Sequence, residues 1–182
     1  MHIIGIDIDE NCLNNKDVDE AVVGSLTAIP LDSNSVDIVF CSDVIEHLED
    51  PRQAFREIHR VLKPGGAFIA WTPNLYNPAM IVSAITPHSF HVAYRRMVWG
   101  DEGADNAPTF YRANTPRGIR KLAATTGFVL ERLSLLSGAY SYFRMSKVTY
   151  IAACILNQLA GIWPVSRARL VIMAVMTKPA SL

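Results

Sequence analysis

The chain has 182 residues, of which 50% are hydrophobic and 19% are charged, and its formal net charge is zero. That length suits one compact α/β domain with a full core, so we expect residues 1–182 to form a single domain. A neutral chain has no basic surface field to favour nucleic acid as a partner. Its three cysteines are far apart and form no CxxC pair, which indicates a reducing compartment rather than a disulfide framework or a zinc ribbon.

The two ends of the chain bear on its location. Residues 1–7 have neither the basic region nor the long apolar region of a signal peptide, so we expect a cytoplasmic protein. Residues 148–166 carry no charge and approach the roughly 20 residues that a membrane span needs. Asn157 and Pro164 disfavour a span, so we predict a hydrophobic helical segment over 139–166 that packs on the domain or on a partner. Peripheral membrane contact is the alternative, through Tyr140, Tyr142, Phe143, Trp163 and either Arg144 or Lys147.

Two short strands are predicted before residue 30. His2 to Ile8 is a β-branched run that contains Asp7 and precedes Asp9, as in a buried parallel strand ending at the carboxyl edge of a sheet. A carboxylate there can accept hydrogen bonds from both hydroxyls of a ribose, and Asp7 is the candidate for this role. Capping of a helix by Asp9 or Glu10 is the plainer interpretation of the acidic cluster. Ala21 to Leu26 is the second predicted strand.

The next segment predicts one right-handed βαβ unit. Val36 to Cys41 is a buried third strand, followed by Ser42-Asp43 at the edge where open α/β sheets bind ligands. Asp50-Pro51 supplies an N-cap and a proline for the first position of a helix with apolar residues at helical spacing. Lys63-Pro64-Gly65-Gly66 predicts a turn, and Ala67 to Thr72 a fourth strand.

The pattern loosens over residues 75–114, which is typical of a lid or a substrate-binding insertion. Thr115-Pro116 then predicts the start of a helix that Gly127 ends. Phe128 to Leu136 is a fifth strand, alternating enough to lie near a sheet edge. Arg169 to Thr177 is a sixth strand whose apolar run predicts burial on both faces.

Six short stretches match the motifs of one family in order and spacing, although each alone is a weak signal. They are Gly5-Ile6-Asp7-Ile8-Asp9, Gly24-Ser25-Leu26 through Ile29-Pro30-Leu31, Ser35-Val36-Asp37-Ile38-Val39, Glu46-His47-Leu48-Glu49-Asp50-Pro51, Leu62-Lys63-Pro64-Gly65-Gly66 and Thr72-Pro73-Asn74. The chain thereby resembles the class I S-adenosylmethionine-dependent methyltransferases of the small-molecule type. The resemblance covers the first 74 residues, and beyond them only the order of helices and strands is similar.

The resemblance implies a three-layer, Rossmann-like, doubly wound α/β fold with a mostly parallel sheet of seven strands. It also implies that the cofactor is S-adenosyl-L-methionine. The implied contacts are Asp7 with the ribose, Ser25 and Leu26 with the adenine, and Cys41, Ser42 and Asp43 with the methionine part. Ile8 is a further cofactor-binding candidate.

Two departures from the family pattern matter. Ser25 stands where the family usually has an Asp, so its hydroxyl would bind the adenine amino group without charge assistance. The family's first strand, helix and Gly-rich turn should precede Met1, and the sequence therefore suggests a fold missing that unit, as in a fragment or a wrongly started reading frame. The missing strand would lie mid-sheet, between the strands ending in Asp7 and Cys41. We expect those strands either to pair directly or to leave open edges, and cofactor affinity to drop sharply.

Asp43, Glu46 and His47 share one face of a helical turn and could converge on a divalent metal ion. The group is similar to the acid-x-x-Glu-His motif of some metal-assisted O-methyltransferases. Alternatively, His47 packs beside the cofactor while the acids cap backbone N–H groups. The candidate catalytic bases are His47, His88 and His91, the last two within the insertion.

Methyl transfer from S-adenosylmethionine to a small-molecule or lipid-like acceptor is the function that these patterns favour. A catalytically inactive remnant that serves as a binding or interaction module is the second possibility. A nicotinamide-dependent dehydrogenase is the third and less favoured possibility. Such enzymes also have an acidic residue at the end of a strand, but Glu46-His47 and Lys63-Pro64-Gly65-Gly66 have no role in them. The predicted partner is a small-molecule substrate.

Overall fold

The computed structural model of the chain describes residues 1–77, 108–137 and 165–180, together with residues 80, 81, 85 and 151. The described part contains six strands and two α-helices, with short 3-10 turns at Glu10–Asn14, Ile45–His47 and Val165–Ala168. In chain order they are β1 (Ile4–Asp7), β2 (Glu20–Val23), β3 (Val36–Ser42), α1 (Pro51–Val61), β4 (Leu62–Pro73), α2 (Pro116–Thr126), β5 (Val129–Leu136) and β6 (Val171–Thr177).

Both helices begin as their capping residues predict, and the second also ends as predicted. The Asp50 carboxylate accepts the backbone N–H of Gln53 ahead of α1, and the Thr115 hydroxyl accepts that of Gly118 ahead of α2. A proline stands in the first turn of each helix, where its missing N–H costs no hydrogen bond. Gly127 ends α2 with φ of 88°, a left-handed conformation that glycine adopts without strain.

The prediction that residues 63–66 form a turn between α1 and β4 was wrong. β4 begins at Leu62, which pairs with Val36 of β3, so Lys63-Pro64-Gly65-Gly66 lies inside the strand. Gly65 has φ of 81° and donates its N–H to the carbonyl of Lys178, while Gly66 accepts the N–H of Lys178. The glycines have the predicted backbone freedom. It allows an irregular stretch of β4 to keep its hydrogen bonds with Lys178.

The six strands form two sheets in the described part of the chain, one of the two arrangements expected for a fold that lacks the family's first strand. β1 and β2 pair in parallel as a small sheet, and the larger sheet has the order β3-β4-β6-β5. In the larger sheet β3 and β4 are parallel, whereas β6 is antiparallel to both of its neighbours. The fold is thus a Rossmann-like α/β fold with mixed parallel and antiparallel strands. β1 and β3 do not pair with each other. β5 lies at an edge of the larger sheet, as predicted.

The core lies on one face of the larger sheet. Phe68 and Met176 are cross-strand partners on that face and are fully buried. Phe55 of α1 packs edge-on against Phe68 with ring centroids 5.2 Å apart, and Phe128 after α2 lies 5.8 Å from Phe68. Aromatic rings in such geometry add to the stabilisation that burial provides. Further buried contributors from the two helices and β6 are Ile58, Ile119, Ala123, Ile172 and Ala174.

The opposite face of β3 is exposed, which corrects the expectation of a fully buried third strand. Ile38 is 60% exposed and Phe40 is 64% exposed. The cause is topological, because β3 is an edge strand and α1 packs only against the face that carries Cys41.

Partly buried polar contacts attach the loops to α1. Arg60 donates to the carbonyls of Ile29 and Leu31 at 2.8 Å each, and Glu57 accepts the N–H of Ile29 at 3.0 Å. Lys178 donates to the carbonyls of His59 and Leu62, both at 2.8 Å, and so satisfies carbonyls at the C-terminal end of the helix. These contacts fix the loop after β2 and the end of β6 on the same helix.

Acidification is expected to destabilise the fold through His59. Burial, followed by the nearby charge of Lys178, lowers the pKa of His59, although a hydrogen bond with the Gly127 backbone opposes the shift. The unfolded chain, with an ordinary histidine pKa of about 6.5, then binds the proton more readily, so stability is lost as the pH falls below that value. We expect the urea midpoint of a His59→Phe variant to change less between about pH 7.5 and 5.5 than that of the native chain. The exposed His2→Gln is the matched control, and an equal change in all three proteins would contradict the assignment.

No helix in the described ranges is long and apolar enough to cross a membrane. Most of the predicted hydrophobic segment, 139–166, lies outside those ranges, as do the six residues predicted to make peripheral membrane contact. Membrane contact through them stays a prediction.

Candidate functional site

The predicted ribose ligand lies at the carboxyl end of β1. Asp7 is exposed, and one oxygen of its carboxylate accepts the N–H of Asp9 at 2.9 Å. Asp9 in turn caps the following 3-10 turn by accepting the N–H of Asn11, as the capping interpretation predicts. Ile8, between them, is 74% exposed. The acidic cluster therefore divides into a capping residue and an exposed carboxylate that remains accessible to a ligand.

The predicted adenine corner is a tight loop after β2. The Ser25 hydroxyl lies 2.9 Å from that of Thr27 and also accepts the N–H of Thr27 at 3.2 Å. Leu26 is half-buried and packs against the main core. Because the Ser25 side chain organises the loop itself, a contact with adenine would have to compete with these internal hydrogen bonds.

The carboxyl end of β3 presents Ser42 and Asp43 to solvent. The Ser42 hydroxyl donates to the Asp43 carboxylate at 2.9 Å, so the structure brings these two predicted ligands together. Asp43 has φ of 54°, a strained conformation for a non-glycine residue, and its N–H donates to the carbonyl of Trp71. Cys41 instead is buried, and burial raises the pKa of its thiol to about 12. A neutral thiol at this position can contact a ligand only as a small apolar group.

Glu46 forms a buried polar network that the sequence did not reveal. Its carboxylate accepts the Thr72 hydroxyl at 2.9 Å, and Thr72 accepts the Asn114 amide at 2.7 Å. All three side chains are buried, and the Asn114 Oδ1 has no hydrogen-bond partner. Burial raises the pKa of Glu46, with hydrogen bonds from its own backbone and from Thr72 opposing the shift. Thr72 of β4 therefore links the turn that carries Glu46 to Asn114, which lies just before the capping residue of α2.

Residues 108–114, at the end of the predicted insertion, dock on the turn that carries Glu46 and His47. The carbonyl of Glu46 accepts the N–H groups of Phe110 and Tyr111 at 2.7 and 3.1 Å. His47 donates its Nδ1–H to the carbonyl of Pro108 at 3.0 Å, and Arg112 donates to the carbonyl of Glu49. No local pattern could reveal these contacts, because the partners are separated by more than 60 residues.

The three predicted metal ligands have separate partners. Asp43 contacts Ser42, Glu46 contacts Thr72, and His47 contacts a backbone carbonyl. Within the described ranges, no group of three His, Cys, Asp or Glu residues could hold a metal ion. The other two candidate bases, His88 and His91, lie outside those ranges, so their roles stay predictions.

Comparison with known proteins finds its sequence matches in the N-terminal part of the chain. Residues 1–70 match the family model described as a methyltransferase domain. A probable S-adenosylmethionine-dependent methyltransferase of Mycolicibacterium smegmatis is 42% identical over 76 residues, covering 40% of this chain and 30% of the relative. Malonyl-[acyl-carrier protein] O-methyltransferase 1 of Coxiella burnetii is 34% identical over 67 residues, covering 37% and 23%. The chain thus matches less than a third of the length of either relative.

The fold comparison extends over nearly the whole chain. An S-adenosylmethionine-dependent methyltransferase from Mesorhizobium loti has a TM-score of 0.61 at 16% identity, covering 97% of this chain and 80% of that structure. At that identity the similarity shows the Rossmann-like fold alone. Residues 1–70 carry the sequence similarity to S-adenosylmethionine-dependent methyltransferases.

Proposed function

We propose that the protein transfers a methyl group from S-adenosylmethionine to a small-molecule or lipid-like acceptor. The observation that carries the proposal is the family match over residues 1–70, a segment that contains the exposed Asp7 and the Ser42-Asp43 pair, each at a strand's carboxyl end. A carboxylate suits the paired hydroxyls of a ribose, and a hydroxyl beside a carboxylate suits an amino acid head group. These donor and acceptor types fit the proposed cofactor.

The residues have distinct roles in this proposal. When bound, the cofactor supplies a methyl group that its positive sulfur already activates. Asp7 orients the ribose, while Ser42 and Asp43 hold the amino acid end, so that an acceptor can align with the methyl group. His47 is the candidate base, because donation of Nδ1–H to the Pro108 carbonyl leaves Nε2 unprotonated in the neutral ring.

The apolar character of the predicted insertion supports a lipid-like acceptor. Tyr76, Ile81 and Ile85, all near its start, are 46%, 47% and 75% exposed. Exposed apolar side chains indicate a surface that binds apolar ligands or partners. Incubation of the protein with radiolabelled methyl donor and a cell extract tests this class. Label recovered in the organic phase agrees with it, whereas label confined to water-soluble products contradicts it.

Replacing Asp7 by asparagine is expected to weaken binding of S-adenosylhomocysteine by about tenfold to a hundredfold. A hydrogen bond to a charged group contributes about 1.5–3 kcal/mol, and about 1.4 kcal/mol is a factor of ten. Asparagine retains an oxygen for the N–H of Asp9, so the local turn is preserved. Ligand-observed NMR titration measures the affinity, even when it is weak.

The matched control for this experiment is Asp17→Asn, which also neutralises an exposed carboxylate in the polar stretch between β1 and β2. It should leave the affinity unchanged. Equal affinity for the native chain and the Asp7→Asn variant would show that the ribose is bound elsewhere.

A further inference from the structure

Positive charge is concentrated on the two α-helices, although the chain as a whole has a formal net charge of zero. Together α1 and α2 contain six arginine or lysine residues and one acidic residue, Glu57, which is paired with Arg60 at 2.8 Å. The other five basic side chains are exposed, and they form no ion pair or hydrogen bond with a residue in the described ranges. These five residues, the basic face, are Arg52, Arg56, Arg117, Arg120 and Lys121.

The basic face is a single layer on one side of the molecule. α1 and α2 pack against each other, and both bury their apolar sides in the core on the same face of the larger sheet. Phe55 and Ile58 do so from α1, and Ile119 and Ala123 do so from α2. Since residues on the opposite side of each helix point away from the sheet, the exposed cations of both helices point in the same direction.

The charges of the basic face weaken the helices instead of stabilising them. Arg52 and Arg56 are four residues apart, as are Arg117 and Lys121, so each pair places like charges at neighbouring positions on a helix surface. Arg52 and Arg117 also stand in the first turn, where the helix dipole disfavours a cation, and neither helix has an acidic residue there. The fold gives no internal reason for this arrangement, and an anionic partner would offset its cost.

The shape and composition of the basic face favour one kind of anionic partner. Neither helix exposes a large apolar side chain, so a protein partner would lack the apolar centre that is typical of protein interfaces. Two packed helices, each about 10 Å wide, form a layer about 20 Å across. That layer is too wide for the major groove of DNA, which is about 12 Å across. A broad layer of cations instead matches a flat anionic surface.

We propose that the basic face binds the anionic headgroups of a lipid bilayer, with α1 and α2 lying along the membrane surface. Clusters of about four to eight basic residues on a helical surface are typical of proteins that bind anionic lipids. Because the helices expose no large apolar side chain, the contact is electrostatic and does not insert into the acyl region. This inference does not depend on the proposed methyl transfer, and it uses none of the residues predicted to make peripheral membrane contact.

Co-sedimentation of the whole chain with lipid vesicles tests the proposal. Vesicles of phosphatidylcholine that contain about 30% phosphatidylglycerol should bind the protein saturably in about 0.05 M NaCl. Binding should be lost in about 0.5 M NaCl, because salt screens the attraction between exposed charges. Vesicles of phosphatidylcholine alone should not bind the protein.

Two double variants locate the contact on the helices. Arg52→Gln with Arg56→Gln, and Arg117→Gln with Lys121→Gln, each remove two exposed charges from the basic face. Each should weaken binding to the anionic vesicles by about tenfold to thirtyfold. Neither should lower the temperature of thermal unfolding, since each removes a pair of like charges from one helix.

The matched control is a double variant with substitutions outside the helices. Lys16→Gln with Arg132→Gln also removes two exposed positive charges, so the net charge of the whole chain falls by the same amount. Its affinity for the anionic vesicles should equal that of the native chain. The comparison separates a contact through the basic face from a general dependence on net charge.

Four outcomes would overturn the proposal. The first is the absence of salt-sensitive binding to the anionic vesicles, and the second is equal binding to the neutral vesicles. The third is a loss of affinity in the control variant that matches the loss in the helix variants. The fourth is tighter binding of a short DNA duplex or of polyaspartate that the helix variants also lose, because the basic face would then bind nucleic acid or an acidic protein.

Discussion

Replacing Phe68 by alanine is expected to lower the free energy of unfolding by about 3–5 kcal/mol. Phe68 is fully buried, and its ring contacts those of Phe55 and Phe128 at centroid distances of 5.2 and 5.8 Å. Alanine would leave a cavity between the sheet and α1 that these rings could only partly fill. Since domains are stable by about 5–15 kcal/mol, the variant could lose most of its stability. Urea unfolding measures the change.

Phe40→Ala is the matched control for this substitution. Phe40 stands on the adjacent strand, but it is 64% exposed, so its removal should cost no more than about 0.5 kcal/mol. Equal losses for the two variants would mean that the buried and exposed faces of β3 and β4 are assigned wrongly. A larger loss at Phe40 would mean that its face of the sheet is already covered.

Replacing Thr72 by valine is expected to destabilise the fold by about 2–4 kcal/mol, although the two side chains have the same shape. The Thr72 hydroxyl donates to Glu46 and accepts from Asn114, so valine removes both hydrogen bonds at once. The Glu46 carboxyl and the Asn114 amide would then be buried with fewer partners, and such groups lose their hydration without compensation. Residues 108–114 should also become less protected from hydrogen exchange.

The chain offers a closely matched control on the same sheet. Thr177 donates its hydroxyl to Glu131 at 2.8 Å, but this pair is exposed to solvent. Thr177→Val should therefore cost well under 1 kcal/mol, because water replaces the lost hydrogen bond. Equal losses of unfolding free energy in the two valine variants would mean that burial does not determine how much the Glu46 hydrogen bonds stabilise the fold.

Local features of the fold were predictable because local chemistry determines them. Asp50 and Thr115 cap the helices as their positions before a proline predict, and Gly127 ends α2 as a left-handed residue. The edge position of β5 also follows from its alternating sequence. The exposure of Phe40 could not be inferred from its own strand, since an apolar run looks the same whether a neighbouring strand and helix cover it or not.

The candidate site was predictable only in part, and for the same reason. Sequence patterns placed Asp7 and Ser42 at strand ends, where the structure has them. They could not reveal that Glu46 contacts Thr72 or that Thr72 contacts Asn114, because these partners come from separate strands and loops. The structure separates the three predicted metal ligands by giving each its own partner, and the base role of His47 stays a prediction because it depends on a bound acceptor.

The position of β6 affects how the protein folds during synthesis. β6 lies between β4 and β5, yet 97 residues separate the end of β4 at Pro73 from its start at Val171. At about 5–20 residues per second, the ribosome adds that intervening chain in roughly 5–20 s. Throughout this interval β4 lacks its antiparallel neighbour, and the apolar strand remains open to pairing with other nascent chains. Aggregation during translation, more than the final stability, is therefore expected to limit the yield of folded protein.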